Sequence, residues 1–467
     1  MCDCAIPLSD DPRPAPWFVL PTPANESILA QFNADHLTSD GGLLWLARAD
    51  AELGLGAALA ACIPEWRRGP VRHSLATLVR QRVFQIACGY ADQNDADSLR
   101  TDPLLKLACG RLPESGADLA SQPTLSRLEN AVDRRAIERL ASALVRIYLR
   151  ERGRGGAPKH VLLDLDGTDD PAHGHQHGVG YHGYYRQYMY FPLLVFDGDT
   201  GQLVTAILRP GRSHGSRFAV LVLRRLLKLL RAAWPGVRVE IRADSGFGIP
   251  RLYAWCEANA VGYTIGLIPN PVLKTYAAPL LAEAQAQSRA QGGLKVRLAG
   301  EVQHQAGSWP LERRVVFKAE VLAEGPNTRF VVTTRTEPPL AVYDRYVDRG
   351  EAENWIKDLK NALQADRLSD RRFWANAFRL LLHAAAFWLL DTLRRWLAAA
   401  DAEVAHLQLD TLRLRVVKIG GWVREVADRY GPQLCLHLSS HHPGATLWRL
   451  LAPLRSAPCL DPMNKTG

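Results

Sequence analysis

The sequence predicts an α/β protein built on a mixed five-stranded sheet, with helical regions before and after it. Three observations carry this. Residues 35–150 place apolar side chains at three- and four-residue intervals, the helical period. At Pro158 the texture changes to short β-rich runs, three in succession and then two that alternate with helices. A hairpin signal joins two of the first three runs, so those can be antiparallel, whereas the later two need parallel crossovers.

The elements follow in order. Residues 1–29, opening "MCDCAIPLSDDPRP", are rich in proline and polar residues and read as an extended arm without a basic-then-apolar leader pattern. Residues 30–156 form a helical region. Its best segments are "HSLATLVRQRVFQIACGYAD" and "RRAIERLASALVRIYLRERG", and "SQPTLSRLEN" offers Ser121 or Thr124 as a helix start, with Pro123 early. The basic run "RERGRGG" closes it as a linker.

Residues 157–270 carry the sheet. "KHVLLDLDGTDD" is a strand broken by a polar turn, and "YYRQYMYFPLLVFDGDTGQLVTAILRPG" is two strands joined by "DGDTGQ". Residues 217–234 form an amphipathic helix with Arg224, Arg225, Lys228 and Arg231 on its polar side. "VRVEIRADSGFG" alternates as a strand until Asp244, followed by a helix from Pro250 to Asn259 and the strand "VGYTIGLI". Residues 271–340 begin as a helix and continue as β-runs, a β-rich insertion; residues 341–400 are helical; residues 401–467 are a mixed C-terminal region. The most apolar stretch, Leu380 to Leu390, is too short to span a bilayer and reads as a buried helix.

Composition is that of a soluble globular chain, 47% hydrophobic and 22% charged over 467 residues. A net charge of +9 leans towards a polyanionic partner. The eight cysteines (Cys2, Cys4, Cys62, Cys88, Cys109, Cys256, Cys435, Cys459) form no CxxC pair and mostly stand singly in apolar runs, as reduced thiols of a cytoplasmic protein do. Cys2 and Cys4 lack further ligands for a metal.

Asp166 in "LDLDGTDD" and Asp244 in "IRADSGFG" both end apolar runs, where open α/β sheets collect catalytic groups; an acid there can also simply cap a turn. The third candidate lies in "YVDRGEAENWIKDLK", residues 346–360. Projected as one helix at roughly 100° per residue, Tyr346, Arg349, Glu353, Lys357 and Lys360 share a polar face. Ala352, Trp355, Ile356, Leu359, Ala362 and Leu363 form the packing face. A solvated face with a Glu353–Lys357 pair is the plainer alternative. Three carboxylates in a basic neighbourhood have a specific use. Their oxygens bind Mg²⁺, and two such ions about 3.5–4 Å apart stabilise the attacking and leaving oxygens of phosphodiester cleavage. The bases can hold flanking phosphates.

The same stretch resembles the Tyr-x2-Arg-x3-Glu-x6-Lys signature of DDE-class bacterial insertion-sequence transposases. Tyr346, Arg349, Glu353 and Lys360 match at every spacing, "DLDGTDDPAHG" resembles the first-acid motif and "RADSGF" the second. The likeness is nearest to insertion-sequence family thirteen-eighty and covers roughly residues 30–400. It implies an RNase H-like core with a β-rich insertion before the third-acid helix, and a catalytic, metal-binding triad of Asp166, Asp244 and Glu353. Asp164, Asp169 and Asp170 compete for the first role; Asp166 fits the family's Asp-x-Thr. Gly167 departs from the serine common in relatives and is expected to loosen the turn. The implied reaction uses two Mg²⁺ ions, with Mn²⁺ as a substitute. Water frees a 3′-OH at the element's end, and that hydroxyl attacks target DNA. Tyr346, Arg349 and Lys360 are implied to hold phosphates, the helical N-terminal region to read terminal repeats of double-stranded DNA, and a homodimer to act on paired ends in the cytoplasm, on the nucleoid. A nuclease that cuts without joining and an inactive DNA-binding derivative remain the alternatives.

Other residues are weaker candidates. Arg212, His214 and Arg217, with Arg209, lie in "RPGRSHGSR" and suit a phosphate-contact loop. His173, His175, His177 and His182 suit a DNA-contacting loop or a zinc site. Trp309 could stack on an unpaired base or belong to a core. Arg367, Arg371 and Arg372 are further cations for DNA. Ser245 lacks the GxSxG context of a nucleophile.

Overall fold

The strand at His160–Gly167 (β1) is buried along nearly its whole length, as its run of apolar residues requires. Next to it the chain lays down Leu193–Asp197 (β2), Leu203–Ile207 (β3), Arg238–Ala243 (β4) and Val261–Leu267 (β5). The order across these five is β3-β2-β1-β4-β5. β1 pairs antiparallel with β2 and parallel with β4, and β4 pairs parallel with β5. The computed structural model describes residues 18–21, 27–30, 34–323, 325–428 and 431–452; most of the expected arm lies outside them.

The β2–β3 hairpin turns where "DGDTGQ" predicts. Asp197 accepts hydrogen bonds from the backbone N–H groups of Asp199 (3.0 Å) and Thr200 (3.1 Å), and Gly201 takes φ +73°, a conformation only glycine adopts without strain.

The sheet is larger than predicted. Val296–His304 (β6), Arg313–Leu322 (β7) and Gly325–Thr333 (β8) form an antiparallel meander, and β8 pairs antiparallel with β5. The β-rich insertion therefore continues the same sheet to eight strands. β5 would otherwise be an open edge of unpaired backbone groups, and β8 satisfies them. A hydroxyl pair between Thr264 and Thr333 (2.9 Å) seals the junction.

Among the helices, Leu75–Ala87 (α1) and Arg134–Arg152 (α2) belong to the N-terminal region. Ala219–Ala233 (α3) and Pro250–Ala258 (α4) are the crossovers to β4 and β5, and Pro271–Ala290 (α5) packs on the meander. The stretch projected above as one helix is broken. Pro339–Val347 (α6) ends before Gly350–Lys357 (α7) begins, and a π-helical turn, Asp358–Ala362, follows. Tyr346 thus stands on a different helix from Glu353, a correction to the single polar face.

Phe373–Ala400 (α8) is the trunk of the molecule. It is long and apolar enough to cross a membrane, extending well beyond the most apolar stretch Leu380 to Leu390, but 83% of its most apolar window is buried inside the protein. It packs against α1, α2 and β3, and its Trp388 indole N–H donates to the Leu203 carbonyl (3.0 Å). Arg82 of α1 and Arg379 of α8 both pair with the fully buried Glu129. The N-terminal helices and the sheet share one continuous hydrophobic core. At the far end, the hairpin of Gly421–Asp428 and Gly431–Leu438 pairs with Leu37–Thr38.

Candidate active site

The site starts from register. Ala243 on β4 pairs with Leu165 on β1, in parallel. Asp244 and Asp166, each the next residue, therefore leave neighbouring strands side by side, about 4.8 Å apart in the pairing direction. Two positions earlier on the same faces, Asp164 meets Arg242 in a buried bidentate pair (2.6 and 2.7 Å). Asp164 is thereby removed from the competition for the first acid.

Asp166 is almost enclosed, and Asp244 caps the turn that follows it, accepting from the Gly246 N–H at 2.8 Å. Arg349, in the short link between α6 and α7, reaches both acids that flank it. Its Nη1 donates to Asp166 Oδ2 at 2.9 Å, and its Nη2 lies 3.6 Å from Glu353 Oε1. Glu353 stands at the mouth, with 58% of its side chain exposed. Burial pushes the Asp166 carboxyl up to about 7; Arg349 pulls against this, and the charges of Asp244 and Glu353 push with it. Burial likewise raises the Tyr346 phenol, which Arg349 partly offsets. Tyr346 fits because position 266 is glycine: a Cβ there would lie 2.6 Å from the phenol oxygen.

Asp169 and Asp170, the other rivals, differ: the first is engaged and the second is buried without a partner among the described residues. Burial works against the Asp169 carboxylate, but Lys360 (Nζ to Oδ1 2.9 Å, to the carbonyl 3.0 Å) and Gln187 (3.0 Å) hold it below its ordinary range. Asp170 faces inward with neither carboxyl oxygen partnered among the described residues, and burial pushes it up to about 9. Lys360 lines a cleft of about 1180 Å³ together with His173, His175, Arg367, Arg371 and Arg379.

Gly167 does not loosen the turn. A Cβ there would meet the Phe191 ring at 2.7 Å and the Arg209 guanidinium at 3.0 Å, so this chain fills with neighbours the space a serine would take. Arg209 is fully buried under the Phe191 ring (4.7 Å) and donates to the carbonyls of Phe191, Pro192, Gly215 and Arg217. It shapes the loop instead of offering a charge to solvent. Arg212, His214 and Arg217 of the same motif are exposed, with His214 Nδ1 2.9 Å from Ser216 Oγ. Trp309 is a further correction. It is 8% exposed, edge-on to Tyr253 and His304 (both 5.5 Å) and under Arg313 (5.3 Å), because it closes the core over α4; no base can stack on it.

Sequence reasoning missed Arg242, although its place two residues before Asp244 on an alternating strand puts both on one face. Among the described residues, no three His, Cys, Asp or Glu side chains stand close enough to hold a metal ion, which covers the histidine loop and the carboxylates alike. The donor chemistry of Asp166, Asp244 and Glu353, all hard oxygens, fits Mg²⁺ or Mn²⁺. In this arrangement, however, Arg349 pairs with two of the three.

No curated protein matches the chain. Among solved structures it is similar to the piggyBac transposase in a synaptic complex with hairpin DNA, at 12% identity over 76% of this chain and 74% of that one, with a TM-score of 0.39. That likeness is too slight to bear on the site. The sequence match is far broader: residues 20–459 fit the model of the transposase DDE domain group 1, and the chain belongs to that family.

Proposed function

We propose that the chain is a DNA transposase that cleaves the ends of its own element and joins the freed 3′-OH to target DNA. The single observation that carries this is the placing of three acids from three elements around one site: strand register sets Asp244 beside Asp166, and Arg349 bridges Asp166 to Glu353 of α7. The strand order β3-β2-β1-β4-β5 supports an RNase H-like core, and the motif spacings support a place near insertion-sequence family thirteen-eighty. Two divalent cations, held by Asp166, Asp244 and Glu353, would supply activation of the attacking hydroxyl and stabilisation of the leaving oxygen.

The chain's own residues do the rest. Tyr346 and Arg349 lie against the carboxylates, where they can orient the phosphate to be cut. Lys360 anchors the β1 turn through Asp169 and opens onto the basic cleft, a path for the phosphate backbone. Arg212, His214 and Arg217 offer further contacts from their exposed loop. The working form is a homodimer on double-stranded DNA, acting in the cytoplasm.

The test uses Asp166→Asn, Asp244→Asn and Glu353→Gln in a Mg²⁺-dependent cleavage assay on DNA carrying the inverted repeats that flank the coding sequence. Each variant loses cleavage; full activity in any one removes that residue from the triad. A wild-type protein that cuts ends but yields no joined product on a target plasmid is a nuclease instead.

A further inference from the structure

Between β1 and β2 the chain builds a small three-stranded sheet from Asp170–Pro171, Gly180–His182 and Gln187–Tyr190. Its hairpin loop, Gly183 to Arg186, is held by the Arg186 N–H donating to the His182 carbonyl (2.8 Å), with Arg186 at φ +54°. Three of its tyrosines face solvent: Tyr184 at 85% exposure, Tyr188 at 61% and Tyr181 at 46%. Tyr181 and Tyr188 meet edge to face at 5.5 Å, and Tyr184 meets Tyr185 edge to face at 5.0 Å.

The exposed rings do not hold the loop. Tyr185 does so, half-buried against His182 (5.2 Å) and Phe191 (5.9 Å). Phe191 in turn lies over Arg209 and fills the space beside Gly167, the residue after Asp166. Through Tyr185 and Phe191 the loop is thus packed beside the residue that follows the first acid. Exposed Arg186 on the loop, and Arg212, whose side chain packs against Gly180, flank it with positive charge.

We propose that this loop binds an unpaired nucleotide at the DNA end being processed, with Tyr184 as the platform on which its base stacks. The inference rests on the DNA reading above and adds a residue to it. The chemistry selects the occupant. Fixed aromatic faces recognise the π-face of a base, flanking guanidinium groups recognise its phosphates, and only a nucleotide outside the double helix has a free face to offer.

The test compares the full-length chain and its variants on two fluorescent duplexes of equal length, one fully paired and one with the last nucleotides of one strand unpaired and carrying 2-aminopurine. The wild type binds both, prefers the frayed end, and quenches the 2-aminopurine by stacking. Tyr184→Ala, which removes no buried contact, lowers affinity for the frayed duplex about 5- to 150-fold, abolishes the quench and leaves the paired duplex unaffected. Tyr184→Phe and Tyr184→Trp behave as the wild type. Equal loss on both duplexes, or no loss on either, overturns the stacking assignment while leaving the DNA reading intact. A wild type that binds neither duplex overturns both.

Discussion

Asp166→Asn is expected to make the protein more stable as it makes it inactive, and the gain should depend on pH. In the fold, burial raises the Asp166 carboxyl from an ordinary 3.8 to about 7. A carboxyl raised in this way favours the folded state while protonated, so its contribution is complete below pH 3.8 and is lost progressively up to about pH 7. The gap corresponds to about 4 kcal/mol. An asparagine of the same shape carries no charge to desolvate and forgoes that loss. The variant should therefore melt close to the wild type at pH 4 and several degrees above it at pH 8. Differential scanning calorimetry from pH 4 to pH 8, in buffer with chelator so that no cation compensates the carboxylate, measures the divergence. Parallel melting curves across that range, or an asparagine variant that melts lower at pH 8, would refute the claim that Asp166 sits in a buried cluster whose charge Arg349 compensates only in part.

The same strand supplies a contrast of opposite sign. Asp164→Ala strands the buried Arg242 guanidinium without its partner and should cost about 3–5 kcal/mol in denaturant titrations; Asp164→Ala combined with Arg242→Met should recover much of it. His383, enclosed in α8, has its imidazole pushed down to about 3 by burial, with Arg82 and Arg379 adding to the effect. A depressed histidine withholds no stability above pH 6.5, and loss grows as pH falls from there towards 3; His383→Gln should flatten that part of the acid limb in pH-dependent melts. Trp309→Ala should lower stability by about 3–5 kcal/mol while leaving DNA affinity, measured by anisotropy on folded protein, unchanged.

What could be read in the sequence was what is local. Asp166 and Asp244 stood out because each ends an apolar run with small polar residues after it, and the split into antiparallel and parallel pairing followed from one hairpin and two helical crossovers. The three strands of residues 296–333 were visible as strands, but their partner was not. Pairing β8 to β5 joins residues about 70 positions apart in sequence, and no local pattern encodes it. Projecting residues 346–360 as one helix failed at Val347 to Arg349, where the chain steps from α6 to α7. Tyr346 nevertheless returns to Arg349 through space, under the open position at Gly266. Arg209 and Arg212 stand three apart in one basic loop, yet one is fully buried on backbone carbonyls and the other is exposed. What separates them is the path of the chain past Phe191, a tertiary fact that residue type does not carry.

Asp164 and Asp166 are compensated differently in this fold. They lie two apart on one face of β1, and both are buried. Asp164 has a dedicated cation on the adjacent strand, matched to it oxygen by nitrogen, and such a pair holds a sheet together. Asp166 has no such partner. Two further carboxylates act on it, and the nearest cation, Arg349, also leans towards Glu353 from a link between two short helices. The second cation below, Arg209, gives its N–H donors to backbone carbonyls. A core selected for stability alone would give the Asp166 charge a cation of its own or delete it, because a buried carboxylate that one shared guanidinium compensates only in part weakens the fold. Its retention beside Asp244 and Glu353 is intelligible if positive charge arrives from outside the chain during the reaction. The same reasoning makes the pH-dependent gain of Asp166→Asn a test of function as well as of stability.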